Sequence, residues 1–164
     1  MNKITIIKDC LHNDTLKFIR NEMTSGNFSW YYSCVTYPKD PGFVFTHKFY
    51  DIDGGIKSGR FNDLIIPILG NIKWKVLRRI KANCYTKNEN HIKHKFHIDD
   101  PVKHKVALFT INTNNGYTEF ENGEKIPSIE NTLAIFDGNI KHRSVIQTDE
   151  NLRINININY DEEI

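Results

Sequence analysis

Long apolar runs are missing from this 164-residue chain, and its mean hydropathy is −0.51, so no segment reads as a membrane-spanning helix. Cysteine is scarce. Cys10, Cys34 and Cys84 are odd in number and scattered, which argues against a disulfide framework and for a reducing compartment, hence a cytoplasmic location. Net charge is close to balance at +2, which gives no global attraction to nucleic acid. The start, Met1-Asn2-Lys3-Ile4 to Ile7, meets Lys8 and Asp9 too early for the apolar stretch of a signal peptide. Low-complexity tracts, internal repeats and Pro/Gly-rich linkers are absent too. Residues 1–164 are therefore expected to form one domain, with 1–75 as a supporting helical and strand region and 76–164 as a β core.

What is present is a 39% hydrophobic composition, enough for a real core, and a β-rich pattern. A strand is expected at Ile4–Ile7 and a helix from about Asp14 to Met23, where Leu16, Ile19 and Met23 fall at helical spacing behind a cap at Asn13 or Asp14. Phe28–Val35 reads as extended, Pro38–Gly42 as a turn, Val44–Tyr50 as a strand and Asp51–Gly59 as a Gly-rich loop. Phe61–Leu69 reads as a short helix limited by Pro67. From Val76 onward strands follow one another: Val76–Tyr85, Phe96–Asp99, Val106–Asn112, Tyr117–Phe120, Thr132–Phe136, His142–Ile146 and Arg153–Tyr160. Asn114-Asn115-Gly116 and Asp137-Gly138 read as turns between them. Along the last strand Ile154, Ile156 and Ile158 alternate with Arg153, Asn155, Asn157 and Asn159; the polar face either meets solvent or lines a wet pocket. Many short strands without alternating helices favour a sandwich or jelly-roll barrel.

His97-Ile98-Asp99 carries the most chemistry. On an extended segment, residues two apart point the same way, so one imidazole and one carboxylate share a space. A second imidazole from a distant strand, His142, would complete a two-His, one-carboxylate face with open positions, the ligand set of non-haem Fe(II) oxygenases. The triplet alone is unspecific. His12-Asn13-Asp14 is a second copy, and there a helix start explains it. Each candidate also has a plain alternative: His142 as a surface residue between Lys141 and Arg143, Arg153 paired with Asp149 or Glu150, Tyr85 as an ordinary strand aromatic. A zinc site from His91, His94, His97 and Cys84 competes, although its spacing suits neither a strand face nor a zinc finger. His47 and His104 read as surface residues or as supports for a site. The basic stretches Lys73–Lys81, Lys93–Lys105 and Lys141–Arg143 form either a solvated rim or one that draws in an anion.

Several segments from Val76 to the end occur in an order that resembles the Fe(II)/2-oxoglutarate dioxygenase superfamily. They are Asn83-Cys84-Tyr85, His97-Ile98-Asp99, Asn112 to Phe120, Ile135-Phe136-Asp137, Lys141-His142-Arg143 and Arg153-Ile154-Asn155. Gly116-Tyr117-Thr118-Glu119-Phe120 is similar to the Gly-x-Thr-x-Phe element of prolyl hydroxylase-like members. Phe45 to Tyr50 and the Leu152–Tyr160 ending resemble small phage-encoded members. About half the chain is covered, and it is the order and spacing of the pieces that are specific.

The resemblance implies a mainly β fold, a double-stranded β-helix (jelly roll) with the N-terminal helices packed on one sheet. It implies His97, Asp99 and His142 as iron ligands, and Arg153 as the partner of the distal carboxylate of 2-oxoglutarate, a task suited to a planar charged fork. Tyr85, Asn83, Thr110 and Asn155 are implied cosubstrate contacts. Thr110 stands where many prolyl hydroxylases have Tyr, and Asn159 where the nucleic-acid demethylases carry a second Arg. The gap between Tyr85 and His97 is long. The implied activity consumes 2-oxoglutarate and O2, with ascorbate as a candidate reductant, releases succinate and CO2, and hydroxylates a C–H bond. A peptidyl, prolyl-type substrate is favoured, with nucleic acid or a free amino acid as alternatives and the first third of the chain as the substrate wall. The alternative to an enzyme is a jelly-roll binding module without turnover. A monomer is the default, in the host cytoplasm if the protein is phage-encoded, with no membrane partner.

Overall fold

The computed structural model describes residues 4–34 and 40–163. Residues Met1–Lys3 and the expected strand end at Val35 and turn start at Pro38 lie outside the described residues. Strand β1 (Thr5–Ile7) leads to helix α1 (Asn13–Thr24). The N-cap is His12, whose Nδ1 accepts from the Asp14 N–H at 3.4 Å, one residue earlier than expected. The helix buries Leu16, Ile19 and Met23, the stripe its spacing implied. Strands β2 (Tyr31–Cys34), β3 (Phe43–Asp51) and β4 (Gly55–Ile56) follow. The expected single helix at 61–69 is two four-residue turns, α2 (Phe61–Leu64) and α3 (Ile66–Leu69), with Pro67 in the first turn of α3.

The remaining elements are all strands: β5 (Trp74–Thr86), β6 (Lys105–Thr110), β7 (Asn114–Phe120), β8 (Lys125–Ser128), β9 (Thr132–Asp137), β10 (His142–Val145) and β11 (Leu152–Glu162). The large sheet runs β1-β9-β6-β11-β5-β3-β2, with β4 paired to β3, and a small sheet runs β10-β7-β8. Every pairing is antiparallel.

The alternation of β11 sets the layers. Ile154, Ile156 and Ile158 are fully buried with Ile19, Met23, Ile65 and Ile68, so the helices cover one face of the large sheet. Burying each such side chain contributes roughly 1.5–3 kcal/mol. The opposite face carries Arg153, Asn155, Asn157 and Asn159 into the space between the two sheets. A smaller apolar cluster, Val106, Leu108, Phe120, Ile126, Ala134 and Phe136, closes one side of that space. Asn155 and Asn157 of the polar stripe therefore line an interior cavity, the second of the two options its pattern allowed, with Arg153 and Asn159 buried beside it.

Three local expectations need correction. Phe96–Asp99 is not a laddered strand: the segment from 87 to 104 is irregular and touches the small sheet through single bridges, His97 to His142 and Lys93 to Val145. The seven charged residues at 87, 89, 93, 95, 99, 100 and 103 and Pro101 suit a loop better than a sheet. Asn114-Asn115-Gly116 is not a turn but the first half of β7. The Asn115 backbone N–H donates to Asp149 and its side chain bonds Thr148, so side-chain partners hold extended what local preference would bend. Finally, β8 went unseen because Pro127 sits in it; as an edge strand it tolerates a missing donor.

Candidate metal centre and anion pocket

A cavity of about 210 Å³ lies between the sheets, lined among others by Lys81, Asn83, Tyr85, His97, Asp99, His142, Ser144, Asn155 and Asn157. At one end His97, Asp99 and His142 place ligand atoms within 4.8 Å of one another, the one such group of three or more among the described residues. The irregular segment supplies the first two and β10 the third, and the antiparallel bridge between His97 and His142 is what brings them face to face. The His97 and His142 rings stand 4.9 Å apart and the His97 Nε2 lies 3.7 Å from Asp99.

Both rings are oriented by backbone. His97 Nδ1 faces the Lys95 carbonyl at 3.2 Å and His142 Nδ1 the Ile140 carbonyl at 2.9 Å. A carbonyl can only accept, so each Nδ1 carries the proton and each Nε2 keeps its lone pair for an ion. Burial pushes the His142 imidazole below its usual range, outweighing the pull of Asp99, and so favours the neutral, ligating form. His142 is buried, not the surface residue its Lys and Arg neighbours allowed.

Asp99 is held by β11. Its Oδ2 accepts from the amides of Asn157 at 2.8 Å and Asn159 at 3.1 Å, and the Arg79 guanidinium stands 3.3 Å from Oδ1. Burial works against its charge, yet the imidazole of His142 beside it, the Arg79 guanidinium and the Asn157 amide hold its carboxyl well below the usual range. Asn159 is fixed in turn by His104 Nε2 at 3.1 Å, whose Nδ1 faces the Val102 carbonyl at 2.7 Å. His104 is thus a buried support, while His47, between the Ser29 carbonyl and Ser58, belongs to the helix side. Neither is a surface residue.

At the other end Arg153 is buried. Its Nε donates to Ser128 at 2.8 Å and its Nη2 to Thr118 at 3.3 Å, while Nη1 has no partner. Among the described residues no carboxylate lies within ion-pairing distance of it, so the alternative pairing with Asp149 or Glu150 does not form. Arg153 sits one layer beneath the cavity lining, beside Thr118 and 5.2 Å from the Tyr85 ring centroid. A buried cation without a counter-charge is costly; this one keeps an unused donor directly behind the cavity wall.

The expected contacts divide. Tyr85 reaches the wall in spite of the long gap before His97, with its hydroxyl 2.9 Å from Ser144. Asn83 donates to Asn155 at 2.9 Å, and both line the cavity. Thr110 is in register with Asn155 but outside the lining. The competing zinc set does not assemble: His91 faces the Ile146 carbonyl and His94 sits 3.5 Å from Asp40. Of the basic stretches, Lys93, Arg143 and Lys141 pair with Glu119 and Glu121 outside the cavity. From the first third of the chain, Ser33 and Val44 reach the lining. Sequence reasoning missed Arg79, Asn157, Ser128 and Thr118 as supports; the polar alternation of β11 was a signal for Asn157 alone.

No protein-family model and no curated protein matches this chain. Solved structures do. An oxidoreductase of the 2OG-Fe(II) oxygenase family from Burkholderia pseudomallei superposes with a TM-score of 0.65 at 11% identity, over 98% of this chain and 85% of that one. The fold is that of the 2OG-Fe(II) oxygenases. A prolyl hydroxylase from Trichoplax adhaerens, solved with a hypoxia inducible factor peptide fragment, aligns at TM-score 0.62 and 18% identity, covering 99% and 84%. HygX from Streptomyces hygroscopicus, solved with nickel and 2-oxoglutarate, aligns at 0.60 and 10%, covering 99% and 84%. The jelly-roll expectation holds, with helices on one sheet.

Proposed function

We propose that this chain is an Fe(II)- and 2-oxoglutarate-dependent dioxygenase that hydroxylates a C–H bond. The observation that carries this reading is the pairing, on the fold of such enzymes, of a three-ligand group with a buried, partly unbonded guanidinium behind the Thr118 and Tyr85 wall of the same cavity. The donor set fits the ion: two imidazole nitrogens and one carboxylate oxygen suit iron and leave positions for other ligands. Bound iron, 2-oxoglutarate and O2 would supply the oxidising power, with succinate and CO2 as by-products, and ascorbate a reductant that keeps the iron ferrous.

The chain's own residues hold, orient and shield. His97, Asp99 and His142 would hold the ion, each fixed by a second group so that little freedom is lost on binding. Arg153 would receive the distal carboxylate of 2-oxoglutarate, with Ser128 and Thr118 aiming its fork. Tyr85, Asn83 and Asn155 would flank the cosubstrate, with Thr110 behind Asn155. Leu108 and Phe136 on the same wall exclude water from the reacting end. For the substrate, a peptidyl side chain of prolyl type is the favoured reading, supported by the peptide-bound neighbour.

Anaerobic titration with Fe(II) should show one ion per chain, and aerobic incubation with 2-oxoglutarate should release succinate. The reading fails if no iron binds, or if His97→Ala leaves succinate formation unchanged.

A further inference from the structure

The cavity face of β5 carries Arg79, Lys81, Asn83 and Tyr85 in alternation, in register with Asn159, Asn157, Asn155 and Arg153 of β11. Lys81 is half-buried and lines the cavity, one step toward the metal ligands from Asn83. Its neighbours all have counter-charges. Arg79 stands 3.3 Å from Asp99, Arg78 stands 2.6 Å from Asp161, and Lys48, directly across on β3, stands 2.8 Å from Asp51. Lys81 alone in this group has no hydrogen-bond or ion-pair partner among the described residues. Asn157, its cross-strand partner, spends its amide on Asp99.

Charge counting sharpens this, on the reading of the site proposed above. A divalent ion, Arg153 and the Arg79 beside Asp99 bring four positive charges; Asp99 and a dicarboxylate bring three negative ones. The filled site is already positive without Lys81, whose ammonium is surplus. Burial already works against that charge, pulling its pKa down to about 8. A desolvated cation facing a cavity gains most from an anion that arrives with the ligand.

We propose that Lys81 is the anchor for a carboxylate on the substrate, so that the oxidised C–H bond lies close to a carboxylate, in a small acidic molecule or in a peptide whose reacting residue has an acidic neighbour. A carboxylate is favoured over a phosphate because a single ammonium offers one point of attachment, whereas the amides of its neighbours Asn157 and Asn83 donate to Asp99 and to Asn155. Size agrees. A cavity of about 210 Å³ is below the roughly 300–1,000 Å³ of pockets that swallow a whole drug-sized ligand. With a cosubstrate inside, only a compact group can enter.

The test uses protein loaded with Zn(II), which has no redox chemistry, and saturating 2-oxoglutarate. Its melting temperature is read against matched pairs: free amino acids and their amides, Asp- or Glu-containing dipeptides and their Asn or Gln twins, nucleoside monophosphates and nucleosides. At least one carboxylate should raise the melting temperature while its amide twin does not. Lys81→Met should raise the concentration needed for a half-maximal shift at least tenfold, and Lys81→Arg should recover most of it. The inference is overturned if no carboxylate outperforms its neutral twin, if only phosphates act, or if Lys81→Met binds as the parent does. Melting of each variant without added compound shows whether it has folded, and Lys81→Gln gives a second charge-free version. Succinate release from iron-loaded protein decides the oxygenase reading separately. Acid preference without succinate removes that reading and keeps the anchor; succinate without acid preference does the reverse.

Discussion

The two ends of the cavity are built by opposite means. The metal end hangs on an irregular segment: His97 and Asp99 belong to no ladder, and a single bridge to His142 fixes their path. Its precision comes from side chains, with Asn157, Asn159 and Arg79 gripping one carboxylate and His104 gripping Asn159. The anion end rests on the longest strands of the sheet. Arg153 leaves β11 opposite Tyr85 of β5, and its fork is aimed by Ser128 and Thr118 of the small sheet. Where the backbone is regular, few side chains are needed to position a group; where it is not, a polar network does the work of the ladder. The metal end should therefore be sensitive at many residues and the anion end at few.

The largest effects should come from the ligands. His97→Ala or Asp99→Ala should lower Fe(II) affinity by more than the roughly 100-fold that loss of an outer partner costs, and abolish succinate formation, both read in an anaerobic titration and an aerobic assay. Asp99→Ala carries a second penalty, since it strands Arg79, Asn157 and Asn159 without their acceptor. Arg153→Met comes next. Losing a charge-assisted contact of about 3 kcal/mol should raise the KM for 2-oxoglutarate roughly 100-fold and leave Fe(II) binding close to the parent. If both fall together, the two ends are not independent. Asn159→Ala tests the network: a drop in Fe(II) affinity of roughly 10–100-fold is expected, though Asn159 touches no ion. An unchanged affinity would mean that the grip on Asp99 is ornamental.

What the sequence revealed follows the same division. Strand β11 was legible because alternation survives in one dimension; the strand pattern favoured a sandwich or a jelly roll, and the family resemblance implied the second. His97 and Asp99 were found through a rule for strands, although they do not lie on one; any extended segment points residues two apart the same way, so the rule outlived its premise. The network was not legible. That Asn157 and Asn159 meet Asp99, 58 and 60 positions away, depends on sheet register, which no local pattern encodes. Nor could the sequence show that Lys81, within a run of cations, faces the cavity without a carboxylate paired to it among the described residues.

Gly116 gives the smallest and most selective test. In β7 it reads as a turn residue, yet its φ is not in the left-handed region. Space is what it supplies. A Cβ built there would stand 2.7 Å from the Arg153 Cδ and 2.9 Å from both the Asn114 Oδ1 and the Val145 carbonyl. The carbonyl belongs to β10 and cannot give way without moving the strand that carries His142, so the guanidinium stem must yield first. Gly116→Ala should accordingly cost about 1–3 kcal/mol of stability and raise the KM for 2-oxoglutarate several-fold, while Fe(II) affinity changes little. Denaturation and paired titrations of iron and cosubstrate measure all three. If iron binding suffers more than cosubstrate binding, it is β10 and not Arg153 that moves, and the strand joining the two ends is softer than its ladder implies.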